Sequence, residues 1–144
     1  MSGNLAIHRF LRTSQVPHRV VTDSALGASV RERVTAVVCL VDGTPALALV
    51  PAPLVVNIER LLSLTGGSEI RLMREGEGYG SRSTEMILAD VRLALSSEIV
   101  FTTDAHAETL VIRWADFARC VRPITGDFAE PPRDRVGAHR LSRP

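Results

Sequence analysis

The sequence predicts an α+β domain in which a mixed, largely antiparallel sheet is flanked by helices. Two observations favour this class. The turn dipeptide Asp42-Gly43 separates two apolar runs, which is typical of a β-hairpin and therefore of antiparallel strands. Strand-like and helix-like patterns alternate along the rest of the chain, so neither an all-β nor an all-α design fits. The chain has 144 residues, 45% of them hydrophobic, which is enough for one core.

The elements up to and including the hairpin follow from local patterns. A helix is predicted over 2–13, and clustered β-branched residues predict a strand over 19–22. An irregular stretch over 23–33 follows. The hairpin strands, over 34–41 and 46–50, are apolar at most positions instead of alternating, so both of their faces should be covered. We therefore expect the hairpin at the centre of the sheet.

Helices and strands alternate beyond the hairpin. Asn57 is a suitable N-cap for a helix over 58–64, which Gly66-Gly67 closes. The glycine-rich stretch over 75–83 predicts a loop. Further strands are predicted over 69–73, 86–89, 99–103 and 109–112, and an amphipathic helix over 114–121.

The chain divides into one folded domain and a tail. From Pro123 onward glycine, proline and arginine dominate without periodicity, which is typical of a loosely held terminus. We therefore expect a domain over 1–125 and a flexible tail, containing arginine and proline, over 126–144.

The charge balance excludes several function classes. The sequence has no lysine, so no lysine can serve as nucleophile or cation. All 17 basic residues are arginine, and with 16 acidic residues the net charge is only +1, so bulk charge does not indicate nucleic acid. No apolar run is long enough to cross a membrane, and no secretory signal is recognisable, so we expect a cytoplasmic protein.

The two cysteines do not indicate a metal or a disulfide. Cys39 falls in a predicted central strand and Cys120 in a predicted late helix, which favours two buried free thiols. No cluster of ligands has zinc-binding spacing, so we expect no metal and no cofactor.

One histidine lies in a setting that could support chemistry. His106 follows Asp104 in a polar segment between two predicted strands, where a loop could face a cleft. One hypothesis is therefore a histidine-dependent hydrolase built on this pair. The alternative is a plain surface histidine.

Several phrases occur in the order and spacing of one known family. They are Ala36 to Gly43, Leu47 to Ala52, Val56 to Gly66, Asp90 with Leu93, and Glu108 to Arg119. In this order, over about residues 5–121, they resemble the YbaK-type aminoacyl-tRNA deacylases, which are related to the editing insertion of bacterial prolyl-tRNA synthetases. The resemblance implies a YbaK-like editing fold and hydrolysis of the ester between a mischarged amino acid and tRNA. It implies a tRNA acceptor end or an aminoacyl-tRNA synthetase as partner, and no cofactor.

The chain departs from the family at the positions that shape its pocket. The family's signature lysine falls at Thr35, and its Gly-x-x-Pro stretch falls near 78–84, where no proline occurs. The family's Gly-Gly or Ala-Gly turn is replaced around 104–105. The resemblance makes Thr35, Asp104 and His106 the candidate catalytic residues, and Gly78, Gly80 and Ser81 the candidate substrate-binding residues.

Two functions from different classes therefore stay open. One is a divergent deacylase, weakened because threonine has one hydroxyl and no charge where the family has an ammonium. The other is a non-catalytic or regulatory module that recognises an amino acid, a tRNA end or a protein partner, and that is related to domains fused to signalling proteins. Fold alone does not decide between them.

Overall fold

The computed structural model describes residues 15–17, 19–22, 32–73, 86–102 and 108–132. The predicted helix over 2–13 and the predicted loop over 75–83 lie outside these residues. The described elements are β1 (Arg19–Thr22), β2 (Glu32–Val41), β3 (Thr44–Pro51), β4 (Val55–Val56), α1 (Ile58–Thr65), β5 (Ile70–Leu72), β6 (Met86–Asp90), a 3-10 helix (Val91–Leu95), β7 (Glu98–Thr102), β8 (Glu108–Arg113), α2 (Trp114–Val121), β9 (Ile124–Gly126) and β10 (Ala129–Glu130).

The strands form one large mixed sheet and one small one. The large sheet has the order β1-β8-β7-β2-β3-β6-β9, and β5 also pairs with β2. The pairs β1–β8, β7–β8, β2–β3 and β2–β5 are antiparallel, whereas β2–β7, β3–β6 and β6–β9 are parallel. The small sheet is the antiparallel pair of β4 and β10. The predicted α+β class with a mixed, largely antiparallel sheet is confirmed.

The hairpin turn forms because both of its central residues adopt positive φ. Asp42 has φ 51° and Gly43 has φ 84°, as a two-residue turn between right-twisted strands requires. The Asp42 carboxylate accepts hydrogen bonds from the backbone N–H groups of Ser68, at 3.0 Å, and Glu69, at 2.8 Å. The turn therefore also fixes the connection between α1 and β5.

Both faces of β3 are buried, as its uninterrupted apolar run predicts. One face carries Leu47 and Leu49, which belong to a core cluster with Phe101 and Phe117. Alternate residues of β3, from Ala46 to Val50, belong to a second cluster on the other face. Since side chains alternate across a strand, one run of apolar residues supplies two cores.

The two described α-helices begin where the sequence predicts, and α1 ends one residue later than predicted, at Thr65. Asn57 caps α1 by accepting a hydrogen bond from the backbone N–H of Arg60 at 3.0 Å, and Gly66 ends it with φ 73°. Helix α2 has the predicted bounds and buries Phe117 against the sheet. None of the helices in the described ranges is long and apolar enough to cross a membrane.

The predicted start of the tail is wrong because residues 126–130 belong to the fold. Gly126 pairs with Asp90 in the large sheet, and Phe128 is fully buried. The backbone N–H groups of Phe128 and Ala129 donate to the buried Asp90 carboxylate at 3.0 and 2.8 Å. These hydrogen bonds join residues almost forty positions apart and produce no local periodicity, so the sequence pattern did not reveal them. Residues 133–144 lie outside the described part, and their flexibility stays a prediction.

The prediction for the cysteines is half confirmed. Cys39 is buried in β2, but Cys120 is exposed on α2, and both are free. Helix α2 is amphipathic, and Cys120 lies on its solvent side instead of beside Phe117. Burial of Cys120 was therefore wrongly predicted.

Candidate active site

The edge of β2 that faces away from β3 is divided between two strands. β7 pairs in parallel with the first two residues of β2, and β5 pairs antiparallel with its last three, Cys39 to Val41. Met73, directly after β5, donates its backbone N–H to the carbonyl of Val38 at 2.9 Å. Within the described chain, residues 34–37 have no ladder partner on this edge. We call this stretch the β2 gap.

The main chain of Ala36 points into the β2 gap. On the β3 side, Ala52 donates its N–H to the carbonyl of Arg33 at 2.8 Å, whereas Met73 bonds Val38 on the opposite edge. Successive residues of a strand direct their polar groups to alternate edges, so odd-numbered residues here face β3 and even-numbered ones face the gap. Ala36 is only 8% exposed. Within the described residues, no strand pairs with Ala36 on this edge.

Thr35 is the predicted catalytic residue that the structure describes, and it lies in the β2 gap. It pairs with Val50 of the hairpin, and its side chain is exposed, whereas Val50 is fully buried. Its hydroxyl offers one donor and two acceptor lone pairs, without charge. Thr35 can therefore orient a polar group at this opening but cannot neutralise a phosphate.

The connection that holds the other two candidate catalytic residues begins beside Thr35. Residues 103–107, which include Asp104 and His106, join the antiparallel neighbours β7 and β8. The parallel register of β2 with β7, extended by two residues, brings Thr35 level with Thr102, where β7 ends. Asp104 and His106 themselves lie outside the described residues, so their roles stay predictions.

The candidate substrate-binding residues belong to a second connection that begins at the β2 gap. Gly78, Gly80 and Ser81 lie between β5 and β6, outside the described residues. The described chain enters this connection at Met73, which is bonded to Val38. The topology thus starts both predicted pocket segments at one edge of β2, although they are about 25 residues apart in sequence.

A concave region lies on the β1–β8–β7 part of the sheet, with a volume of about 160 Å³. Arg19 forms an ion pair there with Glu98 at 3.2 Å, and Asp116 pairs with Arg119 at 3.0 Å. Acidic and basic groups balance in this cleft, so it does not select an anion. Its lining residues are Pro17, Arg19, Glu98, Val111, Arg113 and Asp116.

The described part of the chain offers no metal-binding cluster, and its buried thiol is not activated. No group of three or more histidine, cysteine, aspartate or glutamate side chains is close enough there to hold an ion. Burial raises the pKa of the Cys39 thiol to about 11, and its Sγ lies 3.7 Å from the carbonyl of Ala46. A thiol with this pKa is protonated at neutral pH and is a poor nucleophile.

From the sequence, Asp90 is named only as part of the resemblance and has no role assigned to it, although several hydrogen bonds converge on its carboxylate. Asp90 is fully buried and accepts bonds from the backbone N–H and the guanidinium of Arg92, at 2.9 and 3.0 Å, besides those from Phe128 and Ala129. Burial acts to raise the pKa of Asp90, but these hydrogen bonds outweigh it and lower the pKa below its usual value. Every bond is internal, so the site is structural. A carboxylate at the end of an apolar strand was the available signal.

Similarity to solved structures supports the fold of the chain but does not establish its activity. No family model matches the chain, and no curated protein matches it in sequence. A "putative trans-editing enzyme for prolyl tRNA synthetase" has the same fold, with a TM-score of 0.66 and 15% identity, over 90% of this chain and 98% of that one. The hypothetical protein APE2540 matches with a TM-score of 0.67 and 15% identity, over 87% and 99%.

A third match belongs to a larger protein. A "putative signal transduction protein" from Marinobacter aquaeolei VT8 matches with a TM-score of 0.67 and 14% identity, over 87% of this chain but only 30% of that one. At these identities the matches establish the architecture alone. The chain therefore has an α+β fold similar to the YbaK-like editing domain, as the sequence resemblance implied.

Proposed function

We propose that this chain is a weakly active aminoacyl-tRNA deacylase, which hydrolyses mischarged tRNA at the acceptor end in the cytoplasm. The observation that carries the proposal is the β2 gap. Thr35 is exposed in it, and the two connections with the remaining candidate residues begin at its borders. The fold shared with a "putative trans-editing enzyme for prolyl tRNA synthetase" supports the same reading.

The reaction needs positioned polar groups and no cofactor. Water adds to the ester carbonyl, the bond to the ribose oxygen breaks, and one proton of the water goes to that oxygen. Groups that hold the carbonyl and orient the water supply most of the catalysis in such a step. Thr35, Asp104 and His106 are the side chains we propose for this work, with Gly78, Gly80 and Ser81 bordering the acyl group.

The threonine explains why we propose weak activity. A charge-assisted hydrogen bond from an ammonium contributes about 1.5–3 kcal/mol, and Thr35 has no charge to make one. Its absence costs roughly ten- to hundredfold in rate. The lysine variant is therefore the most direct test.

Thr35→Lys should hydrolyse at least one mischarged tRNA about tenfold faster than the wild type, because the ammonium can reach the mouth of the gap while its stem lies along apolar neighbours. The measurement is a deacylation panel with several mischarged tRNAs. Thr44→Lys is the matched control, because Thr44 is also exposed but lies at the turn end of β3, away from the gap. A folded Thr35→Lys protein that is no faster than wild type across the panel would count against the deacylase.

The second candidate is a binding module without catalysis. Its support is the larger "putative signal transduction protein", of which this fold makes up only 30%. In this case the protein binds an amino acid, a tRNA end or a protein partner, and neither the wild type nor Thr35→Lys releases amino acid. Binding of charged tRNA with no hydrolysis by either form would favour this candidate.

A further inference from the structure

The cleft on the β1–β8–β7 part of the sheet combines apolar and charged lining residues. Val111 of β8 is almost fully buried at its base, and Pro17 is the other apolar residue of the lining. Arg19 lies opposite Val111 on β1, and its guanidinium crosses β8 to the carboxylate of Glu98 on β7 at 3.2 Å. Because these charges neutralise each other above an apolar base, the cleft suits an uncharged ring with apolar faces and polar edges.

The other two lining residues restrict the kind of ring. Arg113 is exposed at the end of β8, and Asp116 lies in the first turn of α2. A guanidinium stacks on nucleobases through its flat face. A carboxylate accepts hydrogen bonds from the exocyclic amines of cytosine and adenine, whereas uracil presents a carbonyl oxygen at that position. Arg119 donates to Oδ1 of Asp116 at 3.0 Å, and a carboxylate has about four lone-pair sites, so Asp116 can also accept from a base.

The cleft and Thr35 lie on the same face of the sheet. Paired residues of neighbouring strands share a face, as do alternate residues of one strand. Arg33 pairs with Val100, and Val100 pairs with Val111 in the cleft. Thr35 is two residues beyond Arg33, which places its Cα about 12 Å from that of Val111, two strands away. An RNA strand whose aminoacylated end lies at Thr35 can therefore place a preceding base in the cleft.

We propose that this cleft binds an unpaired cytosine near the 3′ end of tRNA, with the guanidinium of Arg113 stacked on the ring and the carboxylate of Asp116 accepting a hydrogen bond from the exocyclic amine. This rests on the function proposed above and specifies which part of the RNA is recognised besides the ester. The terminal adenosine of tRNA carries the ester and stays at Thr35. The base that reaches the cleft is therefore one of the two cytosines that precede it.

The role of Asp116 is tested by base preference, without hydrolysis. The probes are two fluorescein-labelled RNA hairpins that differ only in their unpaired 3′ ends, ACCA and AUUA, and fluorescence anisotropy measures their binding at low salt. The wild type should bind the ACCA hairpin about tenfold more tightly, since uracil cannot donate to the carboxylate. Asp116→Ala should bind both hairpins equally. If Asp116 only adds negative charge to this surface, the variant will bind both more tightly and keep the wild-type ratio, which would overturn the proposal.

The role of Arg113 is tested by separating its charge from its flat shape. Arg113→Ala and Arg113→Lys should both weaken binding of the ACCA hairpin about fivefold, because lysine keeps the charge but cannot stack on a ring. Arg60→Ala is the matched control, since it removes the same charge from an exposed position on α1, outside the cleft, and should change binding less than about twofold. Melting temperatures check that each variant is folded. Wild-type affinity in Arg113→Lys would make Arg113 a phosphate contact and overturn the proposal.

The outcomes separate this inference from the proposed function. A preference for the ACCA hairpin that depends on Asp116, without hydrolysis of any mischarged tRNA, supports the inference and overturns the deacylase. Hydrolysis that neither Asp116→Ala nor Arg113→Ala slows supports the deacylase and overturns the inference. Failure of the wild type to bind either hairpin also overturns the inference, and the deacylation panel then decides the proposed function by itself.

Discussion

The two edges of β2 differ, although one apolar run forms both. Along the β3 edge, eight consecutive residues pair without interruption, from Val34 opposite Pro51 to Val41 opposite Thr44. Along the other edge, the described strands β7 and β5 pair with the two ends, and the β2 gap lies between them. Apolar patterning specifies which faces of a strand are buried but carries no information about the partners of its edges. Stability should therefore reside on the β3 side, and binding at the gap.

The largest expected effect is a loss of stability on the β3 side. Leu49 is fully buried in β3, so Leu49→Ala should lower the free energy of unfolding by about 2–5 kcal/mol. Thr35→Ala, one strand away but exposed in the gap, should change it by less than about 0.5 kcal/mol. Urea denaturation measures both. If the two variants were equally destabilised, the contrast between the edges would be wrong.

A smaller loss is expected where the carboxylate of Asp90 holds β10. Asp90→Asn should cost about 2–3 kcal/mol, because an amide cannot accept all the hydrogen bonds that Phe128, Ala129 and Arg92 donate. Asp127→Asn is the control, since Asp127 also bonds Arg92 but is exposed and should cost little.

The same carboxylate makes stability depend on pH in a known direction. The folded pKa of Asp90 is lowered, so its contribution is complete above its unfolded pKa, about 3.9, and is lost as the pH falls through the folded pKa. The wild type should therefore lose stability below about pH 4. Asp90→Asn should show a flatter dependence there. Equal slopes for the two proteins would contradict the assigned role of Asp90.

Turns and helix caps, which depend on neighbouring residues, were predictable from the sequence. Hydrogen bonds and strand pairs between distant residues were not. The turn at Asp42-Gly43 and the cap at Asn57 depend on conformations that their own residues favour, and both were predicted correctly. Strand β10 depends on Asp90, almost forty residues away, and was assigned to a tail. The same distinction between local and long-range information applies to the candidate site. The resemblance identified Thr35, whereas its position between the ends of β7 and β5 depends on strand pairing between distant parts of the chain.

The smallest expected effect, a difference in thiol reactivity, compares the gap with the closed end of the same strand. Positions 35 and 39 lie on one face of β2, but only Cys39 has β5 beside it and is fully buried. In a Cys120→Ser background, Thr35→Cys should be alkylated by iodoacetamide at pH 7 about a hundredfold faster than Cys39. The reason is that an exposed thiol ionises near pH 8.5, whereas burial raises the pKa of Cys39 to about 11. Mass spectrometry of timed samples gives both rates, and the rate at Cys39 should rise with pH up to that value. Comparable rates at the two positions would mean that the gap is closed to a small reagent, and so to an aminoacyl group.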